Sequence, residues 1–560
     1  MGLRSACAAS LAALLAALAA LGCTGQPGPG PYPLVAADLL IRGGTVYDGG
    51  GGPPYAADVA IVGDSVIAVN RDRRISARDT LDARGLAVAP GFINMLSWGY
   101  DELLRDGRGE SDLRQGVTLE IFGEGQSPGP VNQRVARELL ARGDTAALWG
   151  FGEALDSLVA RGVSLNVASF VGATTLRLHE IGADDRAPTA AELARMQALV
   201  GRAMEEGALG VGTSLIYPPA SFSSTAELVA LASASAPYGG VYISHMRGEG
   251  DRLLEAADEL LHIARDAGVA AEIYHIKAAG PDNWGKFDAL LAKIDSARRA
   301  GLRITADMYT YPASSTGLSS RFPTWAEAGG FDSLLARLRD PAARARIEAE
   351  SDMRNPAGVL LVSFRSPLLR PLVGSTLEKV ARDRGVIPAV AAMDLVVEDG
   401  SRVGAVFFSM AEENVRKAVR TPWVSFGSDG GAWTIADSVP VSGTHPRAYG
   451  NFARLLGKYV REERLIPLEE AVRRLSALPA ANLQLRRRGR LLPGYFADVV
   501  VFDPAAIAER ATYEQPHRYA VGVRHVVVNG TPALEDGEVT AARPGRVVRG
   551  RGARQAVTSP

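Results

Sequence analysis

The sequence predicts an α/β protein, a TIM-like (β/α)8 barrel with a small β-sandwich domain built from both chain ends. Three observations predict this class. Residues 91–485 alternate short apolar runs with helical patterns. Polar residues stand where successive apolar runs end, as at the carboxyl ends of barrel strands. Residues 37–90 and 486–545 carry instead short apolar runs separated by turns.

The two chain ends share one pattern. Near the amino terminus, residues 38–46, 58–61 and 66–69 are apolar runs set between Gly-rich and polar turns. Near the carboxyl terminus, residues 497–503 and 521–530 show the same arrangement. Two β-rich ends around a long middle predict one small sandwich assembled from both.

The long middle shows the strand and helix rhythm of a parallel sheet. Residues 165–171 and 208–212 have strand character, and residues 190–206 between them have apolar positions at helical spacing. Residues 331–405 fit this rhythm less well, which predicts an insertion or lid there. Residues 546–560 are predicted to be a tail.

Composition limits the classes of function. With 560 residues, 47% hydrophobic and 22% charged, the chain is globular and long enough to bury a large core. A net charge of −1 gives no field that would draw it to nucleic acid. The two cysteines, Cys7 and Cys23, both precede the predicted domains, so the folded body has no disulfide and no thiolate metal site.

The first residues predict export. Arg4 precedes an apolar run at 8–20, and residues 1–22 together have the layout of a signal peptide. The sequence ALGC ending at Cys23 resembles a bacterial lipobox, and the Gly/Pro-rich residues 23–36 would form a tether. We therefore expect a protein of the bacterial cell envelope, lipid-anchored at Cys23. The alternative is an ordinary cleaved signal peptide, with a periplasmic or secreted product.

Two of the seven histidines, His245 and His275, each end an apolar strand-like run. Imidazole is a ligand suited to zinc, and one acidic oxygen would complete a three-ligand site with an open position for water. Glu124, which follows such a run, is the best candidate for that oxygen, and Glu120 within the run is the alternative. A core role is the competing interpretation for any single histidine.

Two aspartates also follow apolar runs. Asp429 is a candidate general base that would take a proton from metal-bound water and pass it to a leaving amine. A turn residue or helix cap is its alternative role. Asp307 is equally consistent with a structural role and with support of the metal ligands.

Ten short stretches together form a longer pattern: APGFI (89–93), GALGVGT (207–213), LIYPP (215–219), YISHMR (242–247), HIK (275–277), WGK (284–286), DMYTYP (307–312), GSDG (427–430), HPRAYG (445–450) and LPGYFAD (492–498). In this order they resemble the amidohydrolase superfamily and, within it, the N-acyl-D-amino-acid deacylases, also called D-aminoacylases. The resemblance covers roughly residues 38–530 and is far more specific than any one motif.

The resemblance implies a barrel enzyme with a catalytic zinc ion. The family holds that ion with one acidic or thiolate ligand after an early strand and with two histidines. In this sequence those residues match Glu124, His245 and His275, and the family's acid/base aspartate matches Asp429.

The resemblance also implies residues that contact the substrate. Those that hold its carboxylate match Lys277 and Tyr309, and Tyr311 aligns more weakly. A cation and a phenol hydroxyl together form a sensible carboxylate clamp, although Lys277 has the alternative of a solvated lysine. His445 is expected either to contact substrate or to order its loop.

Four positions depart from the family pattern. Leu96 and Trp98 replace the usual His-x-His pair, Asn94 replaces the aspartate that often precedes it, and Ala173 replaces a histidine. Leucine and tryptophan side chains do not bind zinc, so we expect one zinc ion per chain and no binuclear centre. Trp98 is then free to line the acyl pocket. A catalytically dead relative is the alternative.

The sequence therefore predicts a zinc-dependent hydrolase of the amide bond of N-acyl-amino acids, with D configuration favoured. A hydrolase of another carboxylated or cyclic amide, or of a D-residue dipeptide, is one alternative. A lipid-anchored, non-catalytic binding protein is another. The acyl group, the preferred side chain and the oligomeric state do not follow from the sequence.

Overall fold

The computed structural model describes residues 35–70, 75–142, 147–435 and 443–554. The predicted signal peptide, Cys7 and the proposed lipid-attachment site Cys23 lie outside these residues. Within them, every helix is too short or too polar to cross a membrane.

Twenty-one strands occur among the described residues: β1 (Val35–Val46), β2 (Tyr55–Val62), β3 (Ser65–Asn70), β4 (Ile75–Asp82), β5 (Ala87–Pro90), β6 (Phe92–Asn94), β7 (Val117–Phe122), β8 (Asn166–Ser169), β9 (Val171–Gly172), β10 (Gly210–Ser214), β11 (Val241–His245), β12 (Ala270–Ile273), β13 (Ile304–Met308), β14 (Ser314–Gly317), β15 (Val359–Ser363), β16 (Gly404–Phe407), β17 (Val424–Phe426), β18 (Val499–Phe502), β19 (Val523–Val528), β20 (Thr531–Glu535) and β21 (Glu538–Val539). The longer helices are Gln133–Arg142, Phe151–Ala160, Ala173–Glu180, Ala190–Glu205, Thr225–Ser235, Leu253–Ala267, Lys286–Arg299, Phe331–Arg339, Pro341–Glu350, Leu377–Arg384, Pro388–Asp399, Glu412–Arg420, Arg447–Arg454 and Leu468–Leu475. Tyr100–Arg105, Glu110–Leu113 and Ala477–Asn482 are shorter helices, and Leu455–Glu462 is a π-helix.

Parallel strands form a closed barrel. The sheet β6–β7–β8 and the sheet β9–β10–β11–β12–β13–β17 are both parallel. Only Phe170 separates β8 from β9, so the two count as one barrel strand. The Met95 N–H donates to the Phe426 carbonyl at 3.3 Å, and the Asp429 N–H donates to the Leu96 carbonyl at 2.9 Å, which joins β17 to β6. The predicted eight-stranded barrel is therefore confirmed.

Strands from both chain ends form one sheet beside the barrel. Its nine strands run in the order β21–β20–β19–β18–β5–β1–β2–β3, and β4 pairs with β1. The junction between the two ends is the antiparallel pair β5–β18. Apolar side chains of both ends, such as Val59 and Val501, share one buried cluster. The small β domain is thus built from both chain ends, as predicted.

An insertion separates β13 from β17. It contains the antiparallel sheet β14–β16–β15 and four helices, with a buried apolar cluster of its own. An insertion was predicted at about 331–405, and the structure places its first strand earlier, at Ser314. The insertion follows the carboxyl end of strand β13, the end of the barrel at which the polar strand-end residues lie. A cavity opens at this end of the barrel, and the insertion forms part of its wall.

The segment predicted to be a tail packs on the barrel as far as it is described. The Val548 N–H donates to the Val167 carbonyl, and the Gly550 N–H donates to the Gly207 carbonyl, each at 2.8 Å. Both acceptors lie at or before the start of a barrel strand, so this segment covers the end of the barrel opposite the cavity.

Candidate active site

Glu124, His245 and His275 meet at the carboxyl end of the barrel. The Glu124 Oε1 atom lies 2.9 Å from His245 Nδ1 and 3.0 Å from His275 Nε2. One ligand atom from each residue lies within 4.8 Å of the others, and all three residues are buried. In a tetrahedral zinc site with bonds near 2.0–2.2 Å, ligand atoms are about 3.3 Å apart. The spacing of these three side chains therefore fits one zinc ion.

Backbone geometry explains how Glu124 reaches the histidines. A Cβ atom at Gly123 would lie 2.4 Å from the Phe170 carbonyl oxygen, and one at Gly125 would lie 2.6 Å from Ser214 Cβ. Both glycines have positive φ, at 108° and 73°. The loop after β7 therefore depends on glycine at these positions to pass between the neighbouring strands and bring Glu124 inward.

Two site residues have left-handed backbone conformations. His275 has φ 36° and Asp429 has φ 49°. Such conformations are uncommon for residues other than glycine, and they concentrate at functional sites where the surroundings hold them. Both side chains lie near Glu124, His275 by direct contact at 3.0 Å and Asp429 through the Trp98 N–H that the two carboxylates share.

The triad is electrostatically prepared for a cation. Burial disfavours ionisation of Glu124, but hydrogen bonds and charge from His245 and His275 hold its pKa below the ordinary value. Burial and a neighbouring ammonium lower the pKa of His275, but the adjacent Glu249 and Glu124 carboxylates outweigh them and raise it to about 10. A divalent cation at this point would supply the same positive charge with neutral histidines, releasing protons as it binds.

Asp429 lies beside the triad and is held on both oxygens. Its Oδ2 atom accepts from Arg447 Nη2 at 2.8 Å. Its Oδ1 atom accepts from Trp98 Nε1 at 3.1 Å, and the same indole N–H donates to Glu124 Oε2 at 3.0 Å. Burial raises the pKa of Asp429 above its ordinary value, while the Arg447 charge opposes that rise. A buried carboxylate with a raised pKa beside a metal site is suited to proton transfer.

A cavity of about 1340 Å³ opens above these residues. Its floor contains the triad, Asp429 and Trp98 at the ends of barrel strands, and its far wall comes from the insertion. The volume exceeds the roughly 300–1,000 Å³ of most small-molecule sites, so a substrate larger than a free amino acid fits.

Comparison with known proteins identifies the family. The amidohydrolase family model matches residues 147–533. N-acyl-D-glutamate deacylase of Alcaligenes xylosoxydans xylosoxydans is 36% identical over 519 residues, which cover 91% of this chain and 96% of that protein. The chain belongs to the amidohydrolase family.

Two solved structures of amidohydrolases of this kind resemble most of the chain. The N-acyl-D-glutamate deacylase of Bordetella bronchiseptica, complexed with zinc and a phosphonate mimic of the tetrahedral intermediate, is 34% identical with a TM-score of 0.77. A D-aminoacylase is also 34% identical, with a TM-score of 0.78. Its binuclear metal centre is described as activated by one metal and attenuated by the second. Each covers 92% of this chain and 100% of its own.

Glu249 lies behind both histidines of this amidohydrolase, and its only signal in the sequence was its position four residues after His245. Its Oε1 atom lies 3.2 Å from His275 Nδ1, and its Oε2 atom lies 3.6 Å from His245 Nε2, which is an ion-pair distance and too long for a hydrogen bond. These are the ring nitrogens that do not face Glu124. A carboxylate on the far nitrogen of a metal-binding histidine fixes the ring and raises its basicity.

Lys277 was predicted to hold a substrate carboxylate, and the structure places it behind the triad. Its Nζ atom lies 2.5 Å from Glu249 Oε1 and 2.6 Å from His275 Nδ1. Its partner in the predicted clamp, Tyr309, is buried and donates its hydroxyl to the Met410 sulfur at 3.4 Å. Both line the cavity, but the lysine ammonium is already engaged by a carboxylate.

His445 and Tyr311 lie further from the triad. His445 Nε2 lies 3.0 Å from the Ala313 carbonyl, and His445 Nδ1 accepts from the Arg447 N–H at 3.0 Å. Both ring nitrogens of His445 therefore bind backbone, which favours its predicted role in ordering the loop. Tyr311 packs edge-on against His445 with ring centroids 5.4 Å apart and is outside the cavity lining.

The two remaining carboxylates considered in the sequence, Glu120 and Asp307, both lie outside the triad. Glu120, the alternative ligand, is fully buried and accepts from the Ser97 hydroxyl, and it does not belong to the metal-binding cluster. Asp307 accepts from the His275 backbone N–H at 2.9 Å. It therefore supports a ligand, which was one of its two predicted roles.

No role was predicted for Arg447, although it lies in the HPRAYG stretch. Its side chain is 4% exposed, and besides the Asp429 pair its Nε and Nη1 atoms are buried without a hydrogen-bond partner among the described residues. The guanidinium also lies 4.4 Å from the centre of the Tyr309 ring. Arginine is the residue type suited to bidentate carboxylate binding, and the place of Arg447 in the HPRAYG stretch was the signal available in the sequence.

Replacing Glu249 by glutamine is expected to lower zinc affinity by about 10- to 100-fold, the usual effect of losing a carboxylate behind a metal ligand. Competition with a chromophoric chelator measures this without reference to activity. Glu259→Gln is the matched control, since Glu259 is similarly buried but pairs with Arg247 away from the triad. Equal zinc affinity of the Glu249 variant and the unchanged protein would contradict the role.

Proposed function

We propose that the chain is a zinc-dependent hydrolase of the amide bond of N-acyl-D-amino acids, releasing the amino acid and a carboxylate. The observation that carries this proposal is the convergence of Glu124, His245 and His275 with Asp429 at one end of the barrel. The deacylases that resemble the chain over almost its whole length support the same reaction.

The donor set fits zinc. Two imidazole nitrogens and one carboxylate oxygen are common zinc ligands, and three protein ligands leave a position open for water or substrate. When bound, such an ion polarises an amide carbonyl and lowers the pKa of its water. Glu249, 3.2 Å from His275 Nδ1, would fix the orientation of that ring toward it.

The protein's own groups would then bind the substrate and move its protons. Asp429 is placed to accept a proton from the attacking water and to give it to the departing amine. The two buried, unpartnered nitrogens of Arg447 would hold the substrate carboxylate next to Asp429. Since Lys277 is bound to Glu249, Arg447 is the better candidate for the main carboxylate contact.

A second cation supports a preference for acidic substrates. The Arg402 guanidinium lies 5.2 Å from the centre of the Tyr217 ring in the cavity wall, and its Nη2 atom is buried without a partner. Its Nε atom donates to the Ser319 hydroxyl at 3.1 Å, and the guanidinium has no salt bridge within 4.0 Å among the described residues. The Tyr217 ring in turn lies 5.4 Å from His245. A second carboxylate on the side chain or acyl group of the substrate would pair with Arg402.

The deciding experiment is an assay of amine release from N-acetyl-D- and N-acetyl-L-glutamate, aspartate and leucine, with zinc analysis of the same sample. We expect one zinc ion per chain, hydrolysis of the D enantiomers and faster hydrolysis of the acidic ones. Equal rates on both enantiomers would contradict the D assignment. A cyclic amide and a D-residue dipeptide belong in the same screen, since they represent the alternative substrates.

We further propose that the protein is exported and anchored at the bacterial cell envelope by lipid on Cys23, on the basis of its signal-like residues 1–22 and the ALGC sequence. Full-length protein expressed in a bacterium should fractionate with membranes, and Cys23→Ser should move it to the soluble fraction. Cys7→Ser is the control and should stay with the membranes. A soluble unchanged protein would contradict the anchor.

A further inference from the structure

Trp98 occupies an unusual position for a residue expected only to line a pocket. Its indole N–H is shared between two carboxylates, Glu124 at 3.0 Å and Asp429 at 3.1 Å. One of them is a proposed metal ligand and the other is the proposed acid/base group. A pocket wall would need only the apolar ring, so the shared N–H calls for a separate explanation.

All four oxygens of the two carboxylates have a defined partner. Glu124 Oε1 faces His245 and His275, while Glu124 Oε2 accepts from Trp98. Asp429 Oδ1 accepts from the same indole, and Asp429 Oδ2 pairs with Arg447. The indole N–H therefore lies between the two carboxylates and contacts one oxygen of each.

The backbone holds the indole in this place. The Trp98 N–H donates to the Gly430 carbonyl, and the Asp429 N–H donates to the Leu96 carbonyl, each at 2.9 Å. The loops that carry Trp98 and Asp429 are thus joined on both sides of the side-chain contact. Leu96, which replaces the other histidine of the pair, is fully buried and offers no donor.

Two carboxylates that face one another repel unless a cation or a hydrogen-bond donor lies between them. In the pattern that this sequence departs from, His-x-His supplies ligands for a second metal ion at these positions. Here Trp98 supplies a neutral N–H and the bulk of an indole ring instead. Its donor satisfies one oxygen of each carboxylate, and its ring takes up space beside them.

We infer that Trp98 is a positioning residue that takes the place of a second metal ion. Its indole holds Asp429 beside a centre that binds one metal ion. The inference rests on the proposed function for its effect on catalysis. Its prediction for metal content does not depend on the reaction. Asp429 is then oriented by an indole and a guanidinium rather than by a metal ion.

Trp98→Phe tests the positioning role, because it keeps an aromatic ring and removes the N–H. We expect kcat to fall about 10- to 100-fold, the loss typical of one hydrogen bond to a charged group, with KM changed less than about twofold. Trp284→Phe is the matched control, since its indole N–H donates to the neutral Ser409 carbonyl. An unchanged kcat in Trp98→Phe, or an equal fall in the control, would overturn the inference.

The double variant Leu96→His/Trp98→His tests the metal position by counting zinc. The unchanged protein should hold one zinc ion after dialysis, and the double variant should hold two. Two ions in the unchanged protein, or one in the double variant with circular dichroism unchanged, would overturn the inference. Failure of the unchanged protein to hydrolyse any N-acyl amino acid would overturn the proposed function, while the zinc counts would still decide the place of Trp98.

Discussion

Replacing Asp429 by asparagine is expected to lower kcat by about 10²- to 10⁴-fold, the contribution usual for a general acid/base group, without loss of zinc. Asparagine keeps the size of the side chain, but its one amide oxygen can accept from either Trp98 or Arg447, whereas the two oxygens of Asp429 accept from both. It is unable to take up the proton that Asp429 would receive from water. Steady-state kinetics and zinc analysis on the same preparation measure both quantities.

Asp399→Asn is the control for a buried aspartate outside the reaction. Asp399 is 5% exposed in the insertion and accepts from the backbone N–H groups of Arg365 and Ser366 at 3.1 and 2.8 Å. Its replacement should leave kcat unchanged even if stability falls. A zinc-loaded Asp429→Asn variant with undiminished kcat would show that another group moves the proton.

The Asp429→Asn substitution is also expected to lower the stability of the protein. The Asp429–Arg447 pair is buried, with side-chain exposures of 11% and 4%. Removing one partner of such a pair commonly costs about 3–5 kcal/mol, because the other charge stays buried. The amide oxygen of asparagine retains part of that contact, so we expect a lowered melting temperature but a folded protein.

The barrel was predictable because its signals are local and repeated. An apolar strand, a polar residue at its end and an amphipathic helix recur along the middle of the chain, and each signal lies within a few residues. The triad was predictable for the same reason, since His245 ends β11, His275 follows the neighbouring strand β12 and Glu124 follows β7. The carboxyl ends of parallel strands meet at one edge, so strand-end residues converge.

The contacts made by loops were less predictable. Lys277 was expected to face the substrate because it lies two residues after His275, and strand alternation puts such residues on one face. However, β12 ends at Ile273 and His275 has a positive φ, so alternation no longer applies there. Glu249 reaches back to both histidines only because the loop after β11 folds over them. That path depends on tertiary packing.

The insertion shows a second limit. Its first strand, β14, is the polar sequence Ser-Ser-Thr-Gly, which has none of the apolar alternation that marks a strand. It becomes a strand because it pairs with β16, about 90 residues later in the chain. Long-range pairing of this kind overrides local propensity. For this reason the insertion begins at Ser314, earlier than the predicted start at about 331.

Replacing His275 by alanine is expected to abolish both activity and the stabilisation of the protein by zinc. A ligand that binds only the folded state stabilises it by about 2.7 kcal/mol at a concentration 100 times its Kd. The unchanged protein should therefore melt at a higher temperature when zinc is added after treatment with a chelator. Without His275 only Glu124 and His245 remain in the cluster, so this rise should vanish.

His445→Ala separates loss of a metal ligand from loss of a buried histidine. His445 is 3% exposed in the same cavity, but its two ring nitrogens bind the Ala313 carbonyl and the Arg447 N–H. Its removal leaves those groups unpaired at a cost of about 1–3 kcal/mol each, so the melting temperature should fall with and without zinc. The rise on adding zinc should nevertheless remain. Two outcomes would mean that groups other than the triad hold the metal. One is that zinc no longer raises the melting temperature of His445→Ala, and the other is that zinc still raises the melting temperature of His275→Ala.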